Sequence, residues 1–181
     1  MSATLVGATL VTSAAPAARP SIALRPAQPR DVAGIAALVN GFAAERLMLF
    51  RTPESIELAL DDFVVAVDGR GAVLACGALK EYSPSLAEVA SVAVSRDAHG
   101  AGLGRRIVEG VERLARLRGV EELFALTLTP GFFEAVGYGV TDRAHYPEKV
   151  RRDCLGCARR LACDEVCVQR SLVAEELRVA A

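Results

Sequence analysis

Between Glu88 and Gly110 the chain reads EVASVAVSRDAHGAGLGRRIVEG. An apolar run with the composition of a buried strand leads into a loop with Gly100, Gly102 and Gly104 at alternate positions. The chain then enters a segment where Ile107, Val108, Val111 and Leu114 recur at helical spacing. Glycines relax the backbone and remove side chains where amides must approach another group closely. The first turn of the helix exposes unpaired N–H groups at the positive end of its dipole. Strand, loop and helix together make an anion cradle, and phosphate is the usual anion for one. A plain strand-to-helix connection would use the same residues. The dinucleotide fingerprint requires G-x-G-x-x-G and the Walker loop ends in G-K-[ST]; this loop is G-x-G-x-G and matches neither.

The flanking pattern fixes the class of fold. Residues 22–27, IALRPA, read as a short strand, followed by a helix with Asp31 in its first turn and Val32, Ile35, Val39 and Phe42 on one face. Thr52 is placed to cap a second helix, with Pro53 at its first position. FVVAV (63–67) and AVLACGAL (72–79) flank Asp68-Gly69-Arg70-Gly71, the composition of a tight antiparallel hairpin. LAEVASVAV (86–94) is a third strand, the helix after the glycine loop runs from about Leu103 to Arg118, and Gly119 stops it. EELFALTLT reads as a strand, PGFFEAVG as a short helix closed by Gly137, and EVCVQRSLV as a last strand after an irregular basic segment. Hairpin-linked strands followed by a strand–helix–strand crossover give a mixed central β-sheet flanked by helices, an α/β fold of α+β character.

A chain of 181 residues normally makes one domain with a full core. Lys and Arg number 21 against 22 Asp and Glu, so no global field favours nucleic acid or an anionic membrane as partner. No run of about 18 apolar residues exists to span a bilayer. Residues 1–20 are rich in Ala, Ser and Thr and lack a basic region ahead of their apolar part, so they read as a disordered tail; the folded domain is expected over 21–181. With no secretory signal the compartment reads as reducing and cytoplasmic, and the five cysteines do not read as a disulfide framework. Cys154, Cys157, Cys163 and Cys167 could close a tetrahedral zinc site, but the second arm has the wrong spacing, and reduced thiols packing a loop are the favoured reading. Glu88 is the only ionisable residue in LAEVASVAV. An isolated carboxylate on an apolar strand is disfavoured in its charged form and so is a better proton acceptor; a half-exposed Glu pairing with a neighbour is the alternative.

His99-Gly100-Ala101-Gly102-Leu103-Gly104, preceded by VAVSRDA, resembles the [Q/R]-x-x-G-x-[G/A] loop of the GNAT N-acetyltransferases, with His99 in place of Gln or Arg. The resemblance spans about residues 22–172. LTLTPGFFEAVGYGVTDRAHYPEKVRRDCLGCARRLACDEV is further similar to the C-terminal part of the short bacterial N-acetylglutamate synthases, Tyr146 standing where Leu usually precedes Pro147. FRTPESIE and FVVAVDGRGAVLACGALKEY resemble the same subgroup.

The resemblance implies transfer of the acetyl group of acetyl-CoA to the α-amino group of L-glutamate, the first step of arginine synthesis. It implies that Val92, Ala93 and Val94 on the strand and His99, Gly100, Ala101, Gly102, Leu103, Gly104 and Arg105 in the loop grip the cosubstrate. It gives Glu88 the role of base, acting through one or two waters. Many relatives carry a tyrosine as acid where this chain has Phe133, which leaves Thr127 to hydrogen-bond the departing sulfur; Thr127 as an ordinary strand residue is the alternative. A dicarboxylate substrate calls for fixed cations, and the candidates are Arg51, Lys80, Lys149 and Arg152, with Arg151 beside them; Arg51 and Lys149 lie within the family's motifs. The expected partner is a small amino acid, with homodimerisation left open. Two other readings stand: acetylation of another small amine or a protein N-terminus, and a non-catalytic, zinc-stabilised regulatory module.

Overall fold

The computed structural model describes residues 21–173, so the tail expected over 1–20 and the stretch 174–181 of the domain expected over 21–181 lie outside the described residues. Strand β1 (Ala23–Pro26) leads through a 3₁₀ turn to helix α1 (Val32–Ala44) and a short α2 (Pro53–Glu57). The hairpin follows as β2 (Phe63–Val67) and β3 (Val73–Ser83), then β4 (Leu86–Val94), α3 (Leu103–Leu117), β5 (Glu122–Thr127), α4 (Pro130–Ala135), β6 (Gly139–Thr141), α5 (Pro147–Lys149) and β7 (Val166–Ser171). The seven strands form one sheet in the order β1-β2-β3-β4-β5-β7-β6. Only β4 and β5 pair in parallel, because α3 carries the chain back between them; the other neighbours are antiparallel.

Both faces of the sheet are covered. All five residues of β2 are buried, as expected of a strand packed on two sides. On one face Ile107, Val108, Val111 and Ala115 of α3 pack on Val64, Ala75, Leu79, Val89 and Leu123. Their approach is close enough that a Cβ on Gly77 would come within 2.5 Å of Ile107 Cγ2. On the opposite face Ile35 and Val39 of α1 and Ile56 of α2 cover Phe63, Val65, Cys76 and Ala93, while a separate cluster of Phe124, Tyr146 and Cys167 covers β5 and β7. Polar residues of β3 and β4 emerge on that second face between the two clusters.

The structure refines several expectations. Strand β3 runs to Ser83 rather than Leu79, held by the pairs Lys80↔Glu88, Glu81↔Ala87 and Ser83↔Leu86. Asp31 precedes α1: it accepts from Gln28 N at 2.7 Å and forms a bidentate pair with Arg25. Thr52 caps α2 as expected, accepting from Ser55 N at 3.1 Å. The basic segment is ordered, with α5 continuing as a π turn over Val150–Cys154, and β6 was not anticipated.

Candidate functional site

The sheet parts at its centre. Strands β4 and β5 pair at Leu86↔Glu122, Ala87↔Leu123 and Glu88↔Phe124, and no further pairs join them among the described residues, although β4 continues to Val94 and β5 to Thr127. Beyond the Glu88–Phe124 pair each strand therefore turns a row of backbone N–H and C=O groups toward a wedge between them. A bulge drives the divergence: Ser91 and Val92 together oppose Gly77, between the pairs Ala78↔Ala90 and Cys76↔Ala93. Ser91 adopts φ 53°, a left-handed conformation that costs a residue with a Cβ about 1 kcal/mol. Cys76 Sγ donating to Ser91 O at 3.5 Å and Arg51 donating to Ser91 Oγ at 3.4 Å hold it there.

The wedge opens toward the glycine loop. Gly100 and Gly102 adopt φ 78° and 72°, Gly102 is the N-cap of α3, and no side chain caps that terminus. The backbone amides of Leu103, Gly104 and Arg105 are thus available to an anion. A Cβ at Gly104 would press on the Phe132 ring at 3.1 Å. His99 folds back on its own strand, with Nε2 3.0 Å from Val94 O, and so ties the loop to the end of β4 instead of reaching outward. Arg105 donates to Ala135 O at 2.8 Å, fastening α3 to α4.

At the fork sits Glu88, 5% exposed. It does not stand alone among apolar neighbours. Its Oε2 accepts from Lys149 Nζ at 2.9 Å and lies 2.8 Å from Tyr82 Oη. Asp153 is the hub behind it: Oδ2 accepts from Lys80 Nζ at 2.7 Å, pairs with Lys149 Nζ at 3.1 Å and hydrogen-bonds the Tyr82 hydroxyl. Burial works against the Asp153 carboxylate, yet the Lys80, Tyr82 and Lys149 donors prevail and hold its pKa well below the usual carboxylate range. Burial likewise opposes the Lys149 ammonium, and Glu88 and Asp153 outweigh it, so the lysine titrates above its ordinary value. Tyr82 is pushed well above the ordinary phenol range by burial, then by Glu88 and Asp153. Arg152 lies over the Tyr82 ring, 3.8 Å from its centroid, and donates to Glu81 O at 2.7 Å.

Three of the four expected substrate cations, Lys80, Lys149 and Arg152, are therefore brought together, but the two lysines already face protein carboxylates. Arg51 differs. Asn40 brackets its backbone with two hydrogen bonds, and its guanidinium lies over Phe63, reaching Ser91 Oγ and Ser55 O. Burial lowers its pKa, with Cys76 and Asp62 compensating in part, and among the described residues no carboxylate forms an ion pair with it. Thr127 ends β5, its Oγ1 accepting from Thr129 N at 3.0 Å. Strand alternation puts Thr127 with Leu123 and Ala125 on the α3 face, across the wedge from Glu88. Phe133 is core, edge-on to Tyr138.

Only two of the four cysteines expected as a cluster approach each other: Cys154 and Cys163 interact electrostatically, both near Arg143. Cys163 accepts from Arg143 at 3.1 Å, Cys157 accepts from Arg159 N at 3.4 Å, and Cys167 packs under Phe124 and Tyr146, where burial and then Glu88 push its thiol up to about 11. Among the described residues no three His, Cys, Asp or Glu side chains are placed to hold a metal ion, so the zinc-site alternative finds no ligand set there. Tyr82 and Asp153 escaped the sequence reading. Tyr82 follows Lys80 at a period of two, and Asp153 follows Lys149 by one helical turn, but both signals need the element boundaries that only the structure supplies.

Residues 37–138 match the model of the acetyltransferase (GNAT) family, and this chain belongs to that family. It is 39% identical over 149 residues to an uncharacterized N-acetyltransferase of Chlorobaculum tepidum, covering 82% of this chain and 96% of that protein. An amino-acid acetyltransferase of Mannheimia succiniciproducens is 30% identical over 76% of this chain, which spans only 31% of that relative's length. Among solved structures, N-acetylglutamate synthase from Neisseria gonorrhoeae, complexed with coenzyme A and N-acetylglutamate, superposes with a TM-score of 0.75 at 27% identity, covering 86% of this chain and 36% of that one. No helix among the described residues is long and apolar enough to cross a membrane.

Proposed function

We propose that this acetyltransferase moves the acetyl group of acetyl-CoA to the α-amino group of L-glutamate. The observation that carries the reading is Glu88 at the point where β4 leaves β5, with Arg51, from the loop before α2, reaching Ser91 three residues further along β4 and lying over Phe63 on the same face. Acetyl-CoA supplies an acyl carbon activated as a thioester. The open strand edges offer hydrogen bonds to an extended amide-containing arm, and the uncapped terminus of α3 offers amides to its diphosphate. An ammonium must lose a proton before it can attack, and Glu88 takes that proton through one or two waters. Thr127 Oγ1 accepts an amide hydrogen from Thr129 and lies 3.2 Å from the Thr129 hydroxyl; with Thr129 as the donor in that contact, Thr127 turns its own hydrogen to the departing sulfur. Arg51 meets a substrate carboxylate with its two-pronged guanidinium.

The names of the Mannheimia and Neisseria relatives support an amino-acid acceptor. A second reading is an α-amino acid with one carboxylate, such as glutamine, because Lys80 and Lys149 are already matched by Asp153 and Glu88 and Arg51 is left to anchor a single carboxylate. Thiol release from acetyl-CoA across a panel of amino acids separates the two. Glu88→Gln is expected to lower kcat about 100-fold or more with the acetyl-CoA KM unmoved; an unchanged kcat would overturn the role of Glu88.

A further inference from the structure

The cluster behind Glu88 contains one hydrogen too few for its contacts. Lys149 has three hydrogens and can serve Glu88 Oε2 and Asp153 Oδ2 together. Tyr82 lies within hydrogen-bond distance of the same two oxygens and has a single hydrogen. With both carboxylates charged, the hydroxyl can donate to only one, and the other contact sets a lone pair against a carboxylate oxygen. Adding one proton to the cluster closes both contacts.

Resting on the reading of Glu88 as the base, we propose that Asp153 and Tyr82 are positioning residues that prepare Glu88 to hold the proton it removes from the amine. Asp153 orients the Tyr82 hydrogen toward itself, which leaves a Tyr82 lone pair facing Glu88. When Glu88 gains its proton, the new O–H donates to Tyr82 Oη while the Tyr82 hydrogen stays on Asp153 Oδ2. One proton moves from substrate ammonium to Glu88, through water, and no other bond changes. Asp153 suits this role because Lys80 and Lys149 keep it charged. The phenol keeps its hydrogen throughout, since burial and the two carboxylates oppose its ionisation. The charged or titratable groups around Glu88 are Lys80 and Tyr82 from β3, Lys149 and Asp153 from α5 and its π turn, and Cys167 from β7. Arg152, stacked on the Tyr82 ring, holds the ring in place.

The test is a double-mutant cycle on thiol release with acetyl-CoA and L-glutamate, using the intact chain, Glu88→Gln, Tyr82→Phe and the combination, with thermal unfolding as the folding control. Tyr82→Phe keeps the ring contacts with Phe124 and Arg152 and removes only the hydroxyl. The expected result is a drop in kcat of about 10-fold for Tyr82→Phe at unchanged acetyl-CoA KM, and no further loss on adding it to Glu88→Gln. If Glu88→Gln lowers kcat but Tyr82→Phe leaves kcat unchanged, raises the acetyl-CoA KM instead, or multiplies with Glu88→Gln, the inference falls and the base survives. If Glu88→Gln leaves kcat intact, the base reading falls and takes the inference with it. Asp153→Ala, which removes the oxygen that accepts the Tyr82 hydrogen and leaves it to turn to Glu88, is expected to give the same non-additive pattern and stands in should Tyr82→Phe unfold.

Discussion

Arg51 shows how a single side chain acquires meaning from what it lacks. Half-buried guanidinium groups normally face a carboxylate, and this one faces a ring, a hydroxyl and a carbonyl. Arg51→Lys keeps the charge but loses the planar fork, so the amino-acid KM should rise about 10- to 100-fold, the loss of one charge-assisted pair, with the acetyl-CoA KM unmoved. Steady-state kinetics with each substrate varied in turn would reveal it, and a parallel rise in both constants would count against a carboxylate subsite. Glu88 stands out in the sequence as a lone acid in an apolar strand, whereas Arg51 is singled out only by the resemblance of FRTPESIE to the family's motifs. His99 stands out in the sequence only as an irregularity in the loop, and the structure alone shows its contact with Val94 O.

At the scale of elements, the link from β1 to α1 depends on an ion pair. Asp31 is buried, and hydrogen bonds from Arg25 lower its pKa against the opposing effect of burial. A carboxylate held below its unfolded value contributes stability that is present above that value, about 3.9, and is lost as pH falls through the lower folded value. Asp31→Asn should therefore cost about 1.5–3 kcal/mol near neutral pH, and the gap from the unaltered protein should close in acid below about pH 4. Denaturant titrations at several pH values would measure it. Element types were read correctly through most of the chain because periods of two and 3.6 are local properties. The far end of β3 and the π turn after α5 were not: Tyr82 and Ser83 belong to a strand because β4 pairs with them, and Val150–Cys154 coils because Lys149 and Asp153 dock on Glu88 and Lys80.

The molecule as a whole is a sheet split along its middle, with helices supporting both halves and the glycine loop at the mouth of the split. A ligand that bridges the split should stabilise the fold by binding it and not the unfolded chain. Coenzyme A at about 100 times its Kd should add about 2.7 kcal/mol, which for a domain of this size is a rise of about 5–10 °C in Tm. Gly102→Val, which forces a branched residue into a left-handed backbone at φ 72°, should lose most of that rise. Differential scanning of the two proteins with and without coenzyme A checks both statements.

By itself the sequence determined most of the strands and helices and the glycine loop ahead of α3, and it set Glu88 apart as a lone acid in an apolar strand, because each of these depends on neighbours within a few residues. The tertiary structure decided the parting of β4 from β5, the enclosure of Glu88 by Tyr82, Lys149 and Asp153, and the absence of a counter-ion at Arg51 among the described residues. Those features join positions as far as 73 residues apart, as Lys80 and Asp153 are. Their energies come from desolvated charges meeting one another, and periodicity along the chain carries no record of such meetings.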